Sequence, residues 1–153
     1  SAFSCWKISV RNEFRLLMNI FNRFGEKFIS LFAKPLSGDA FYEDLSNNVT
    51  KQAEFASLLR DVTYDLGTRH DIAMYFGEID SEMGEIVLME IASDASQDPI
   101  LQDTCGESLG AIWARKMNIG KIDQLTPIAQ GIALATYRHF VSKHGEHPID
   151  EGK

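Results

Sequence analysis

Cysteine is scarce in this chain of 153 residues: Cys5 and Cys105 are the only two. They lie far apart, and neither belongs to a CxxC pair or to a spacing that binds zinc, so a reduced, cytosolic life is the simplest expectation. Phosphate-cradling motifs are missing as well, since there is no GxGxxG, and the pair Gly106-x-x-x-Gly110 falls inside a helical pattern, where it serves packing. Histidine is limited to His70, His139, His144 and His147. The last three converge only if the tail folds back, and no Cys, Asp or Glu pattern completes a metal site. Serine, histidine and aspartate are all available, yet no GxSxG marks a nucleophile, and no carboxylate pair is flagged as buried. The expectation is a protein that is not an enzyme, with no cofactor and no metal.

The most informative absence is of one charge. Between His70 and Ala114 there is no Lys or Arg, while Asp71, Glu78, Asp80, Glu82, Glu85, Glu90, Asp94, Asp98, Asp103 and Glu107 all fall there. The net charge of −7 is therefore concentrated. A field of one sign repels nucleic acid and phospholipid, and it draws in basic protein surfaces. Residues 1–34 show the reverse balance, with Lys7, Arg11, Arg15, Arg23, Lys27 and Lys34 against Glu13 and Glu26.

What the chain does have is ordinary globular content, 44% hydrophobic and 24% charged, enough for one domain with a real core. Its first residue is Ser1 rather than Met, which leaves a removed leader open. Residues 1–34 carry a stripe of Phe14, Leu17, Phe21, Phe24, Phe28 and Leu31 at helical spacing, read as one long helix or two broken near Gly25. Core packing as an end cap is favoured over a membrane-surface helix, because charges recur too often for a spanning segment. Residues 35–48 read as a loop with a turn or two of helix at Ala40 to Leu45, capped by Asp39. A helix is expected from Val49 to Asp65, buried through Phe55, Leu58, Leu59 and Val62 and ended by Gly67.

Sliding the chain by 33 residues lays Phe55–Ile79 on Leu88–Ile112 without a gap, pairing Asp61 with Asp94, Asp65 with Asp98, Gly77 with Gly110 and Ile79 with Ile112. The aspartates fall where a helix–turn–helix needs polar turn residues, and Ala73, Gly77, Gly106 and Gly110 are small enough for helices to approach closely. Asp98-Pro99 places a capping side chain before a residue suited to the first helical position. The helix that follows has Leu101, Cys105, Leu109, Ile112, Trp113 and the stem of Lys116 on its apolar side, with Asp103 and Glu107 one turn apart on its polar side. Residues 117–123 read as a connector with Gly120 as its flexible point. Thr126-Pro127 opens a closing helix with Ile128, Ile132, Ala135, Tyr137, Phe140 and Val141 buried. The tail from 144 to 153 is expected to fray.

The stretch from Asp94 to Ile112, with DPILQDTCGESLGAIW inside it, resembles the HEAT-repeat pattern of an apolar helix, an Asp/Pro turn and a second helix. DVTYDLGTRHDIAMYFGEI followed by IASD and QDTCGESLGAIW is similar to small bacterial HEAT-like immunity proteins of contact-dependent and polymorphic toxin systems. The similarity runs from about Phe55 to Phe140; residues 1–48 carry no such match. It implies an all-α, HEAT-like repeat stack of about six to eight helices in a single domain, with repeats and a C-terminal cap over 49–143. It also implies a cytoplasmic, monomeric partner in a 1:1 complex with a cognate toxin, which it silences. A nuclease-type toxin is basic because its substrate is polyanionic, so an acidic inhibitor suits it. The expected toxin-binding residues are Asp71, Glu78, Asp80, Glu82, Asp98, Asp103 and Glu107, with Tyr75 either an aromatic anchor or a core residue. The other reading is a HEAT-like adaptor or scaffold for an endogenous protein.

Overall fold

Five helices start at residues whose side chains answer an amide that a first helical turn leaves unpaired. Asn48 accepts from the Lys51 amide, Asp65 from Thr68, Ser81 from Gly84, Asp98 from Ile100 and Thr126 from Ala129. A computed structural model describes residues 38–145, with side chains as far as residue 143. Among them are α1 (Gly38–Asn47), α2 (Val49–Arg60), α3 (Leu66–Gly77), α4 (Glu82–Ala92), α5 (Pro99–Arg115) and α6 (Pro127–Gly145), with a 3₁₀ turn at Ile122–Gln124. No strand occurs among the described residues, and the chain is an all-α helical stack. The expectations for residues 1–37 and for the tail beyond Gly145 lie outside the described residues.

The helices α2–α3 and α4–α5 form two hairpins whose turns are built alike. Asp61 Oδ1 accepts from the Thr63 amide at 2.9 Å and from its hydroxyl at 2.7 Å, and Asp94 Oδ1 accepts from the Ser96 amide and hydroxyl at the same two distances. Each aspartate closes a local turn on its own backbone two residues on, which stops the helix before it. The caps Asn48 and Ser81, and Asp65 and Asp98, stand at the same offset of 33 residues. Similar punctuation therefore gives the two hairpins matching starts.

Packing then sets the layers. α2 lies against α4, and α3 against α5, while α6 runs along α5. Phe55, Leu59, Ile72, Phe76, Leu88, Leu101 and Leu109 are fully buried between the layers, each contributing about 1.5–3 kcal/mol. Polar side chains tie the hairpins together at buried points. Ser81 donates to Gln52 Oε1 at 2.7 Å, Ser108 donates to the Ala73 carbonyl at 2.9 Å, and Arg69 reaches the Leu59 carbonyl at 2.9 Å and Gln97 Oε1 at 2.8 Å. Burial lowers the Arg69 pKa, with Cys105, Asp61 and Asp98 offsetting part of the shift.

Glycine sets how closely α5 and α6 approach. A Cβ at Gly106 would sit 2.5 Å from the Ala129 carbonyl oxygen, and one at Gly110 would sit 2.5 Å from that of Ala133. Both distances are well inside contact, so the backbones meet where no other residue fits. α5 ends in a Schellman motif. The Asn118 amide donates to the Trp113 carbonyl and the Met117 amide to that of Ala114, with Met117 at φ 50 where glycine is usual.

Several local expectations differ from the structure. The 35–48 stretch carries the ten-residue helix α1 rather than a loop with a turn or two. Its Leu45 is buried, and Phe41 and Tyr42 pack against the core. α2 stops at Arg60, five residues early, because the Asp61 turn intervenes; Val62 is consequently 70% exposed. Gly67 does not end a helix but lies in the first turn of α3, which Asp65 caps. On α6 the buried positions are Ala129, Ala133 and Thr136, whereas Ile128 is 44% exposed and Ala135 is also exposed. Close approach to Gly106 and Gly110 selects small side chains there over large ones. Gly120 is no free hinge, since a Cβ on it would lie 2.4 Å from the Trp113 ring. Lys116 is exposed and ion-paired to Glu85 instead of laying its stem on the apolar face.

Candidate interaction face

The carboxylates from Asp71 to Glu107 divide by what each already holds. Asp94 is committed to its turn: hydrogen bonds from the Ser96 hydroxyl and amide and from Gln97 hold its pKa below the usual carboxylate range. Asp98 caps α5. Glu90 receives a fork from Arg60 at 2.6 and 2.9 Å, which lowers the Glu90 pKa. Glu85 accepts from Trp113 Nε1 at 2.9 Å and pairs with Lys116. Asp80 lies 3.5 Å from Arg115 Nε, and Asp71, mostly covered, lies 3.5 Å from His70 Nδ1. Glu82, Asp103 and Glu107 have no hydrogen bond or ion pair among the described residues.

Glu78 and Glu107 come together. Both line a crevice between α3, α5 and α6, with Met74 and Ala111 beside them and Thr136 and Phe140 closing it from α6. Glu78 remains exposed to solvent on its outer side, and partial desolvation against these helices raises its pKa; Arg115 opposes the rise and Glu107 adds to it. Arg115 is itself engaged, donating to the Gly77 and Ile79 carbonyls at 2.7 and 3.2 Å. The crevice measures about 40 Å³, room for a water or a single protruding group rather than a metabolite. A carboxyl of raised pKa beside a second carboxylate is the raw material of acid–base chemistry, but that chemistry needs space for a substrate between them.

The other expected residues do not join this pair. Tyr75 is corrected to a core residue: it is 1% exposed and sits in an aromatic cluster, 5.0 Å from Phe41, 6.1 Å from Tyr42 and 6.3 Å from Phe55 between ring centroids. Asp103 is exposed one turn before Glu107 on α5, and Asp71 lies two turns before Glu78 on α3. Glu82 stands on α4 in the other layer, where it borders an apolar trough with Val49, Ala53, Met83 and Ile86. Sequence reasoning missed this trough. Val49 is 67% and Ile86 50% exposed, but within the unbroken apolar run Ile86-Val87-Leu88-Met89 nothing distinguishes the outward positions from the inward ones.

Among the described residues, no group of three or more His, Cys, Asp or Glu side chains could hold a metal, and no helix is long and apolar enough to cross a membrane. Cys105 is buried and its thiol pKa is pushed far up by desolvation. No protein-family description, curated protein or solved structure matches this chain.

Proposed function

We propose that this chain is an inhibitor of the immunity type: a HEAT-like stack that binds a basic, nuclease-type toxin domain through its acidic layer and covers the toxin's active site. The observation that carries this reading is the placement of Asp103, Glu107 and Glu78 on α5 and α3 within a 45-residue stretch lacking Lys and Arg. Neither Asp103 nor Glu107 is engaged by a cation among the described residues. Carboxylates of one sign on neighbouring helices repel one another weakly, and a basic partner relieves that repulsion while gaining association rate. A second reading, an adaptor for an endogenous partner, is favoured by the Val49–Ile86 trough, which an inhibitor working through the acidic layer leaves unused.

The test is protection. A basic toxin domain encoded beside this gene is co-expressed with the chain and with a variant carrying Asp103→Lys and Glu107→Lys. Growth is expected with the parent and not with the variant, and the affinity of the purified pair should fall with salt only for the parent. Equal growth with both overturns the acidic layer as the interface.

A further inference from the structure

The offset that relates the hairpins also relates their outward faces, and the pairing is crossed. On α3 the outward stripe reads Met74 then Glu78, and the positions 33 residues on along α5 are Glu107 then Ala111. Because α3 packs against α5 and all four residues border one crevice, each helix brings one carboxylate and one apolar side chain to it. Phe140 of α6 adds an aromatic ring to the same lining. No Lys or Arg lines the crevice, and Arg115, the nearest cation along α5, is held by two backbone carbonyls and lies near Asp80. The face thus presents two negative groups together with aliphatic and aromatic surface.

Resting on the inhibitor reading above, we infer that this face receives an amphipathic basic helix of the partner. Two cations one turn apart meet Glu78 and Glu107, and an aliphatic side chain between them packs on Met74, Ala111 and Phe140. Residues four apart share one side of a helix, so two cations and the apolar residue beside them can engage together. An extended acidic or purely apolar segment does not match, since the first meets like charge and the second leaves both carboxylates desolvated without a partner. The crevice has room for the aliphatic side chain alone, so the two cations meet Glu78 and Glu107 at its rim while the helix that carries all three lies across the layer.

The probe is a synthetic peptide of about 18 residues, long enough to fold on contact, with arginines at i and i+4 and leucines on the same side. Two matched peptides replace the arginines by glutamate or the leucines by serine. Binding to the full chain is followed by fluorescence anisotropy. The arginine–leucine peptide is expected to bind best, and the double variant Glu78→Gln, Glu107→Gln to weaken it about tenfold, in the range of charge pairs at a partly desolvated interface. The pair Glu43→Gln, Glu54→Gln on α1 and α2 should shift it less than twofold. Circular dichroism confirms that all variants fold. Absence of binding, equal binding of the glutamate peptide, or unchanged affinity in the Glu78/Glu107 variant overturns the assignment. Toxin protection that survives in that variant also overturns it while leaving the inhibitor reading intact. Peptide binding as expected without protection overturns the reading and supports the face.

Discussion

The hairpins α2–α3 and α4–α5 share one set of capping positions and differ in what covers them. In the first, α3 turns Tyr75 into a cluster with Phe41, Tyr42 and Phe55, so its far side is filled by large aromatic rings from α1 and α2. In the second, α5 meets α6 through Gly106 and Gly110, and the contact is backbone against backbone. The frame is set by local hydrogen bonds, which both sequences supply. Residue size is set by the neighbour, and the neighbours differ. The two hairpins agree in where their helices begin more closely than in what they bury.

The sharpest way to break this comparison is to add volume at the α5–α6 seam. Gly106→Val places side-chain atoms where the Ala129 carbonyl stands and should cost about 3 kcal/mol, measured by urea unfolding. A loss below about 0.5 kcal/mol shows that α6 slides away freely and that the seam is not a close contact. Next come the caps. Asp65→Ala should cost about 1 kcal/mol, because its carboxylate serves both the Thr68 amide at 2.9 Å and the Thr68 hydroxyl at 2.6 Å. Asp98→Ala should cost less, since Pro99 already holds the helical φ at the start of α5. The reverse order would mean that the fixed φ of Pro99 does not stand in for the Asp98 cap.

On the outer side of α6, a Cβ at Gly131 meets nothing within 4 Å. Gly131→Ala should therefore raise stability by about 0.5–1 kcal/mol, opposite in sign to Gly106→Val on the same helix pair. Smallest is Glu78→Gln. A carboxyl whose folded pKa is raised contributes stability fully below its unfolded pKa and loses it as pH rises through the folded one. Because Glu78 is exposed, solvent screens most of this, and the charged form is only a small burden at neutral pH. The variant should melt slightly above the parent there, within about 0.5 kcal/mol, and the difference should vanish as pH falls below the ordinary carboxylate range. A variant less stable than the parent at neutral pH would mean that Arg115 outweighs the burial.

Much of the fold could be read from short-range signals. Asp98-Pro99 and Thr126-Pro127 announce α5 and α6, and the aspartates at 61, 65, 94 and 98 mark both turns, because a cap needs only its own few neighbours. The readings that went astray depended on distant partners. Val62 keeps the helical spacing of α2, but Asp61 has already turned the chain. Ile128 looks more apolar than Ala129, yet it is Ala129 whose backbone lies against Gly106 and is fully buried. For the site, Glu78 and Glu107 were both legible as acidic. That they share a crevice, and that Glu85 and Glu90 are already occupied by Trp113 and Arg60, was not, since those partners lie on other helices.

By itself the sequence determined an all-helical chain, the starts of its main helices and the sign of its central stretch. Hydrophobic period, capping chemistry and formal charge are properties of neighbouring residues, and they survive without any fold. The tertiary structure alone decided that Tyr75 is core, that Gly106 and Gly110 join α5 to α6, and which carboxylates keep an open side. Those outcomes depend on which helix surfaces meet and at what distance. Burial, close contact and desolvation are properties of pairs of surfaces, and a single strand of letters holds only one member of each pair.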